Sequence, residues 1–283
     1  MKKRSVLLRK TIDLGVNLAA AIAAFSGIVI LIWILSTVIV KGASAIDIAF
    51  FLQTTPPPGV PGGGMGNAIV GTLILVVLAV LIGVPVGLLS GVYLSEFGGE
   101  TRFGSLVRFS TNVLMGIPSI VIGMFVYALV VVPTGGFSGW AGALALAILI
   151  LPIIARTTED MLVMVPNSLR EAALALGAAR WRTILSVVFP AARAGLVTGG
   201  LLAVARIAGE TAPLLFTALN SPYFPHSLSE PTANLTVTIF NFAMSPYDDW
   251  QRLAWGASLL ITVSVLVLNI GARRLVRERE RRK

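Results

Sequence analysis

The sequence has no cysteine, which excludes a disulfide framework and any thiol-liganded metal. It has one histidine, so no histidine metal cluster can form within the chain. Charge is also scarce. Only 12% of the 283 residues are Asp, Glu, Lys or Arg, and none occurs from Leu14 to Val40 or from residue 109 to 155. There are five lysines, none behind a glycine-rich loop, and no G-x-x-x-x-G-K-[ST] run, so the chain cannot hold ATP by a P-loop. Neither G-x-S-x-G nor H-E-x-x-H is present. With no nucleophile or acid–base set, a membrane enzyme is the least expected function. Glu159-Asp160, Asp248-Asp249 and His226 are expected to lie on solvated loops.

What fills the chain is hydrocarbon. At 56% hydrophobic residues, the content exceeds what a soluble domain of this size buries. The charge-free run from Leu14 to Val40 is 27 residues long. A signal-peptide apolar region covers roughly 7–15 residues, so despite Ala43-Ser44-Ala45 this run is expected to be a retained first transmembrane helix. Residues 53–66, with three consecutive prolines and three consecutive glycines, should form an extracytoplasmic linker without regular structure. A second span from Asn67 to about Tyr93 carries Gly83, Gly87 and Gly91 at four-residue spacing, a face that lets a neighbouring helix approach closely. Glu96, Glu100, Arg102 and Arg108 then mark a cytoplasmic loop. Pro133-Thr134-Gly135-Gly136 splits the long charge-free stretch into spans near 109–132 and 139–156. A charged loop occupies 156–193. A fifth span covers about 195–220, an outer loop of about 30 residues follows, and the sixth span is Leu253 to Ala272.

The positive-inside rule tests this order. Of the 22 basic residues, five precede the first span, Arg102 and Arg108 lie in the first inner loop, five lie in the second and seven in the tail. Lys41 and Arg252 fall outside, and Arg206 falls within a span. Both termini are therefore expected in the cytoplasm. The net charge of +9 reads as an orientation device, aided by anionic lipid, and not as a nucleic-acid surface.

The inner loop carries a pattern of its own. Ser168 and Glu171 have capping-box spacing, with Pro166 just upstream. Leu169, Ala172, Ala173 and Leu176 form one apolar stripe, and Gly177 allows a turn. Trp181, Ile184, Leu185 and Val188 repeat the spacing, and Pro190 is expected to close the second helix. A helix–turn–helix beside the membrane follows; read locally, it could also be an amphipathic helix lying on lipid. The run Glu171-Ala172-Ala173, Gly177, Val187-Val188-Phe189-Pro190 resembles the EAA loop of ABC-importer permeases, with Val and Phe replacing the usual Ile and Leu. That resemblance implies that Glu171, Ala172, Ala173 and Gly177 dock onto an ATPase subunit.

Arg206 lies about 12 residues into the expected fifth span, at roughly 18 Å depth, with Glu210 on the same helical face. Arginine at such depth costs roughly 2.5–3.5 kcal/mol on insertion scales. Either the two form a structural ion pair, or the guanidinium contacts an anion in a translocation path while Glu210 orients it.

Arg206-Ile207-Ala208-Gly209-Glu210-Thr211-Ala212-Pro213-Leu214 resembles the fifth-helix signature of phosphate-specific (Pst) permeases, A-type subunit. Gly66-Asn67-Ala68-Ile69-Val70-Gly71-Thr72, residues 117–123 and residues 235–240 are similar to the same family. The resemblance implies an all-α, six-helix, type I ABC importer permease fold with a MetI-like core. It divides the chain into 1–66 (first helix and linker), 67–272 (permease core) and 273–283 (basic cytoplasmic tail). It further implies a heterodimer with a C-type permease, two copies of an ATP-binding subunit that holds ATP and Mg, and an extracytoplasmic phosphate-binding protein. The location is a bacterial inner membrane. Arg206, Glu210 and Thr211 would line the phosphate path during alternating access. A permease for sulfate or molybdate, or an ATP-independent carrier, are the alternatives.

Overall fold

The computed structural model describes residues 6–99 and 101–280 and contains only helices and connections among them. Lys2, Lys3, Arg4, Glu100, Arg281, Arg282 and Lys283 lie outside the described residues. The chain begins with α1 (Val6–Ala43), most of whose apolar stretch Lys10–Ala43 is exposed. Apolar on all sides, it is a membrane span. Its C-terminal end packs: a Cβ at Gly42 would lie 2.6 Å from Leu259 Cβ. A short helix, α2 (Ile48–Leu52), is capped by Asp47, which accepts a hydrogen bond from the Phe50 N–H at 2.7 Å. The proline- and glycine-rich linker is irregular, as expected, but firmly tied. Trp250 Nε1 donates to Pro56 O at 3.1 Å, and the Thr55 N–H donates to Asn67 Oδ1 at 3.1 Å.

The core is built on two helices, α3 (Gly66–Gly98, its last turn π-helical) and α6 (Gly139–Val163). Gly83, Gly87 and Gly91 all face α6, as their spacing predicts. A Cβ on each would meet Ala147 O at 2.8 Å, Leu151 O at 2.7 Å and Ala155 O at 2.5 Å respectively. Between these helices Leu75, Ala79, Leu146, Ile150 and Ile154 are buried together with Ile122, Ile207, Leu214 and Val237. Large apolar residues on the outer faces, such as Leu81, Leu89 and Leu129, remain exposed, as lipid or a partner permits.

Several expected boundaries are corrected. The third span is not one rod over 109–132. Instead α4 (Arg102–Gly116) meets α5 (Ser119–Thr134) at 104°. Ile117 precedes Pro118 and takes an extended conformation, which ends α4 there. Both arms lack charge near the bend, so a count of charge-free residues cannot detect it. The fifth span is not 195–220 but α8 (Arg180–Ile207). Pro190 does not close a helix. The π-helical turn Ile184–Val188 just before it passes the Phe189 N–H back to Ile184 O, and Pro190 follows at the start of the α-helical part of α8, Phe189–Ile207. The inner loop is correspondingly shorter than 156–193, because Arg156 belongs to α6 and Arg193 to α8. After α8 the chain forms α9 (Ala212–Leu215) and, inside the expected outer loop, α10 (Leu235–Ala243). The last helix, α11 (Asp248–Glu280), starts five residues earlier than expected.

Candidate substrate path and docking loop

Arg206 occupies the last turn of α8, and Ile207 ends the helix. The chain then turns: Gly209 N–H donates to Arg206 O and Glu210 N–H to Ile207 O, both at 3.2 Å. Pro213, without an N–H, opens α9. The Arg206–Glu210 pair therefore spans a helix break and not the face of a continuous helix. Measured from Arg180, Arg206 lies roughly 39 Å along α8, which replaces the depth of 12 residues. Arg206 Nε and Glu210 Oε1 are 3.8 Å apart, with side-chain exposures of 63% and 18%. That distance exceeds a hydrogen bond. Among the described residues, the five guanidinium donors of Arg206 engage no hydrogen-bond acceptor. Thr211, half-buried, heads α9 and accepts backbone bonds from Leu214 and Leu215.

This turn is held from three sides. Ile207 and Leu214, which flank it, are buried in the core cluster that α3 and α6 share. Gly123 of α5 touches Pro213 backbone to backbone; a Cβ there would lie 2.6 Å from Pro213 Cα. From α10, Thr236 Oγ1 donates to Glu210 O at 2.9 Å. Irregular backbone among apolar helices is tolerated where it lines a polar cavity, and a discontinuous helix is how membrane transporters place a site at depth. Asn234 fixes α10 by accepting from Val237 N–H at 3.0 Å and donating to Leu219 O at 3.1 Å. The Gly66–Thr72 run does a different job. Asn67, fully buried, donates to Thr55 Oγ1 and to Ser221 O, and Thr72 Oγ1 accepts from Leu235 N–H at 2.8 Å. These residues tie the linker, the start of α3 and the start of α10 together.

The second candidate site is the loop between α6 and α8, expected on the inner side. Its helix α7 (Asn167–Ala175) has no buried residue. Glu171 and Ala172 are exposed, Ala173 is half-buried, and Leu169, Leu174 and Leu176 also face outward. The expected capping box does not form. The helix starts at Asn167 behind Pro166, which puts Ser168 inside the first turn, and no side chain caps it. The turn does form as expected: Gly177 has φ +82°, its N–H donates to Leu174 O, and Ala178 N–H donates to Ala173 O.

Four charged residues anchor this region, and none was assigned a partner by sequence reasoning. Arg170 donates to Glu96 Oε1 at 2.7 Å and also to the carbonyls of Leu162 and Val165, at the end of α6. Arg108 does the reverse: it donates to Glu159 Oε1 at 2.6 Å and to the carbonyls of Leu94 and Gly99, at the end of α3. Glu159 and Asp160 are thus not loop residues. Both lie on α6, where Glu159 is buried beside Arg108 and Arg156, and Asp160 binds Arg156 at 3.2 Å. The spacing of Arg156 to Glu159 and Asp160, three and four residues, was a legible signal. The partners of Glu96 and Arg108 lie too far along the chain to leave one.

Residues 83–283 match the family described as binding-protein-dependent transport system inner membrane component. The chain is 49% identical over 272 residues to the phosphate transport system permease protein PstA of Yersinia pestis, covering 96% of this chain and 92% of that one. It is 50% identical over 252 residues to the PstA of Haemophilus influenzae, covering 89% of each. Among solved structures, an inward-facing MetNI methionine ABC transporter superposes with a TM-score of 0.59 at 22% identity, covering 75% of this chain and 92% of that one, which establishes the type I ABC importer permease fold. With several apolar helices long enough to cross a bilayer, this multi-pass membrane protein belongs to the PstA branch of the binding-protein-dependent transport system inner membrane components.

Proposed function

We propose that this chain is the A-type permease subunit of an ATP-driven phosphate importer, with Arg206, Glu210 and Thr211 on the path and Glu171, Ala172, Ala173 and Gly177 on the surface that meets the ATPase. The observation that carries it is Arg206: a guanidinium at a helix break with unengaged donors, loosely steadied by a carboxylate. A planar fork of fixed donors matches a tetrahedral oxyanion, and a carboxylate at 3.8 Å can orient it without competing at full strength. The similarity to PstA proteins supports phosphate as that anion.

The chain's lack of a P-loop supports placing ATP and Mg on a separate subunit, present in two copies. The exposed apolar residues of α7 support docking there, since a short helix with no buried residue gains little until a partner covers it. A C-type permease completes the path as a heterodimer, a phosphate-binding protein delivers the anion from outside, and both termini are cytoplasmic. ATP closes the ATPases, α7 moves with them, and α8 links that movement to Arg206, since both ends of the loop-to-turn segment belong to one helix. Hydrolysis resets the permease inward.

The test is uptake of labelled phosphate into vesicles that hold the chain with its permease partner and ATPase, loaded with ATP and supplied with binding protein. ATP-dependent uptake that sulfate and molybdate fail to compete is expected. Uptake without ATP, or preferential uptake of another oxyanion, would overturn the reading.

A further inference from the structure

Helix α7 has no buried residue, so apolar packing does little to fix it to the body of the protein. It joins α6 and α8 through short turns, and Gly177 at φ +82° makes the second of these pliable. Besides a light contact with the start of α8, what ties it to the body is Arg170. This side chain is 17% exposed and its partner Glu96 is 7% exposed, and Nε and Nη2 both reach the carboxylate. Its remaining donors close the end of α6. Arg180, at the start of α8, adds a bond to Glu96 O and lies 4.8 Å above the Phe97 ring. Glu96 is therefore the point on α3 where both flanks of the loop converge.

We propose that the Glu96–Arg170 pair is the joint that carries a displacement of α7 into the α3–α6 unit, making both positioning residues for transport. This inference rests on α7 being the ATPase-docking helix. Downstream of the joint the unit is stiff. The glycine face of α3 brings it against α6 backbone, and Arg108–Glu159 fastens the same two helix ends a second time. The far end of that unit holds Ile207 and Leu214, on either side of the Arg206–Thr211 turn. Without the joint, α7 would swing on its two turns and leave the path unmoved.

The experiment uses the complete complex in vesicles and reads phosphate taken up per ATP hydrolysed. With the unaltered chain, coupled uptake establishes the docking reading; its absence would sink that reading and not the joint. Given coupled uptake, Glu96→Gln is expected to keep the co-purified ATPase and its hydrolysis while lowering uptake per ATP roughly ten-fold, as loss of a charge-assisted bond implies. Unchanged uptake per ATP would overturn the joint. Should Glu96→Gln fail to assemble, Glu96→Cys with Arg170→Cys decides, since the chain has no other cysteine. A bifunctional thiol reagent spanning the two positions is expected to restore uptake per ATP. A cross-linked complex that hydrolyses ATP without uptake would overturn the proposal.

Discussion

Gly123 and Pro213 bring two broken helices into backbone contact: a Cβ on Gly123 would sit 2.6 Å from Pro213 Cα and 3.1 Å from its carbonyl oxygen. The contact locks α5 to α9 directly beyond the Arg206–Glu210 turn. Neither backbone can yield as a flexible side chain would.

Gly123→Ala is accordingly expected to destabilise the protein by about 1–3 kcal/mol, the usual effect of overpacking. Gly116→Ala, where nothing lies within 4 Å, should change stability by less than about 0.5 kcal/mol. Thermal unfolding of the purified complex in detergent compares the two. Equal midpoints would show that the half-helices are not locked together.

At the candidate path, the exposed and loosely paired Arg206 makes a specific expectation possible. Removing its partner by Glu210→Gln should cost less than about 1 kcal/mol of stability, since a partly exposed ion pair too long for a hydrogen bond contributes little. Phosphate uptake per assembled complex should nevertheless fall. Arg206→Lys should also transport poorly, because an ammonium keeps the charge and loses the fork. The double change Arg206→Met with Glu210→Gln should assemble and transport nothing. Near-normal uptake by that double variant would reduce the pair to a structural role.

Gly177 offers a test of backbone against bulk. No atom lies within 4 Å of a Cβ there, so only its φ of +82° resists a side chain. Gly177→Val should cost about 1–2 kcal/mol and lower the amount of ATPase that co-purifies, whereas Gly177→Asn should retain most of it, as asparagine tolerates left-handed backbone. Equal losses for both would point to a side-chain clash with the partner.

Orientation is checked by single cysteines in this cysteine-free chain. Gly136→Cys and Asp248→Cys are expected to react with an impermeant thiol reagent added outside sealed, right-side-out vesicles; Arg102→Cys is expected to remain unlabelled until the membrane is opened. Labelling at position 102 from outside would invert the topology.

The sequence by itself determined what depends on neighbours along the chain. Charge-free runs marked the membrane, the four-residue glycine spacing on α3 marked a close helix contact, Gly177 marked a turn with positive φ, and Pro133–Gly136 marked a break between spans. The EAA-like loop and the Arg206–Glu210 pair were legible for the same reason, as each is a short run of residues. Tertiary structure decided where helices break and which charges meet. Pro118 and Pro190 carry the same local signal, yet one bends the chain by 104° and the other is absorbed by a π-helical turn. Local propensity cannot separate these outcomes, because packing against other helices selects between them. Glu96 and Arg170 are 74 residues apart and share no period, so only the close approach of α3 to α6 brings them together. The same packing turns Glu159 from an expected surface acid into a buried partner of Arg108: a charge inside the fold is stable only where its counterion arrives with it.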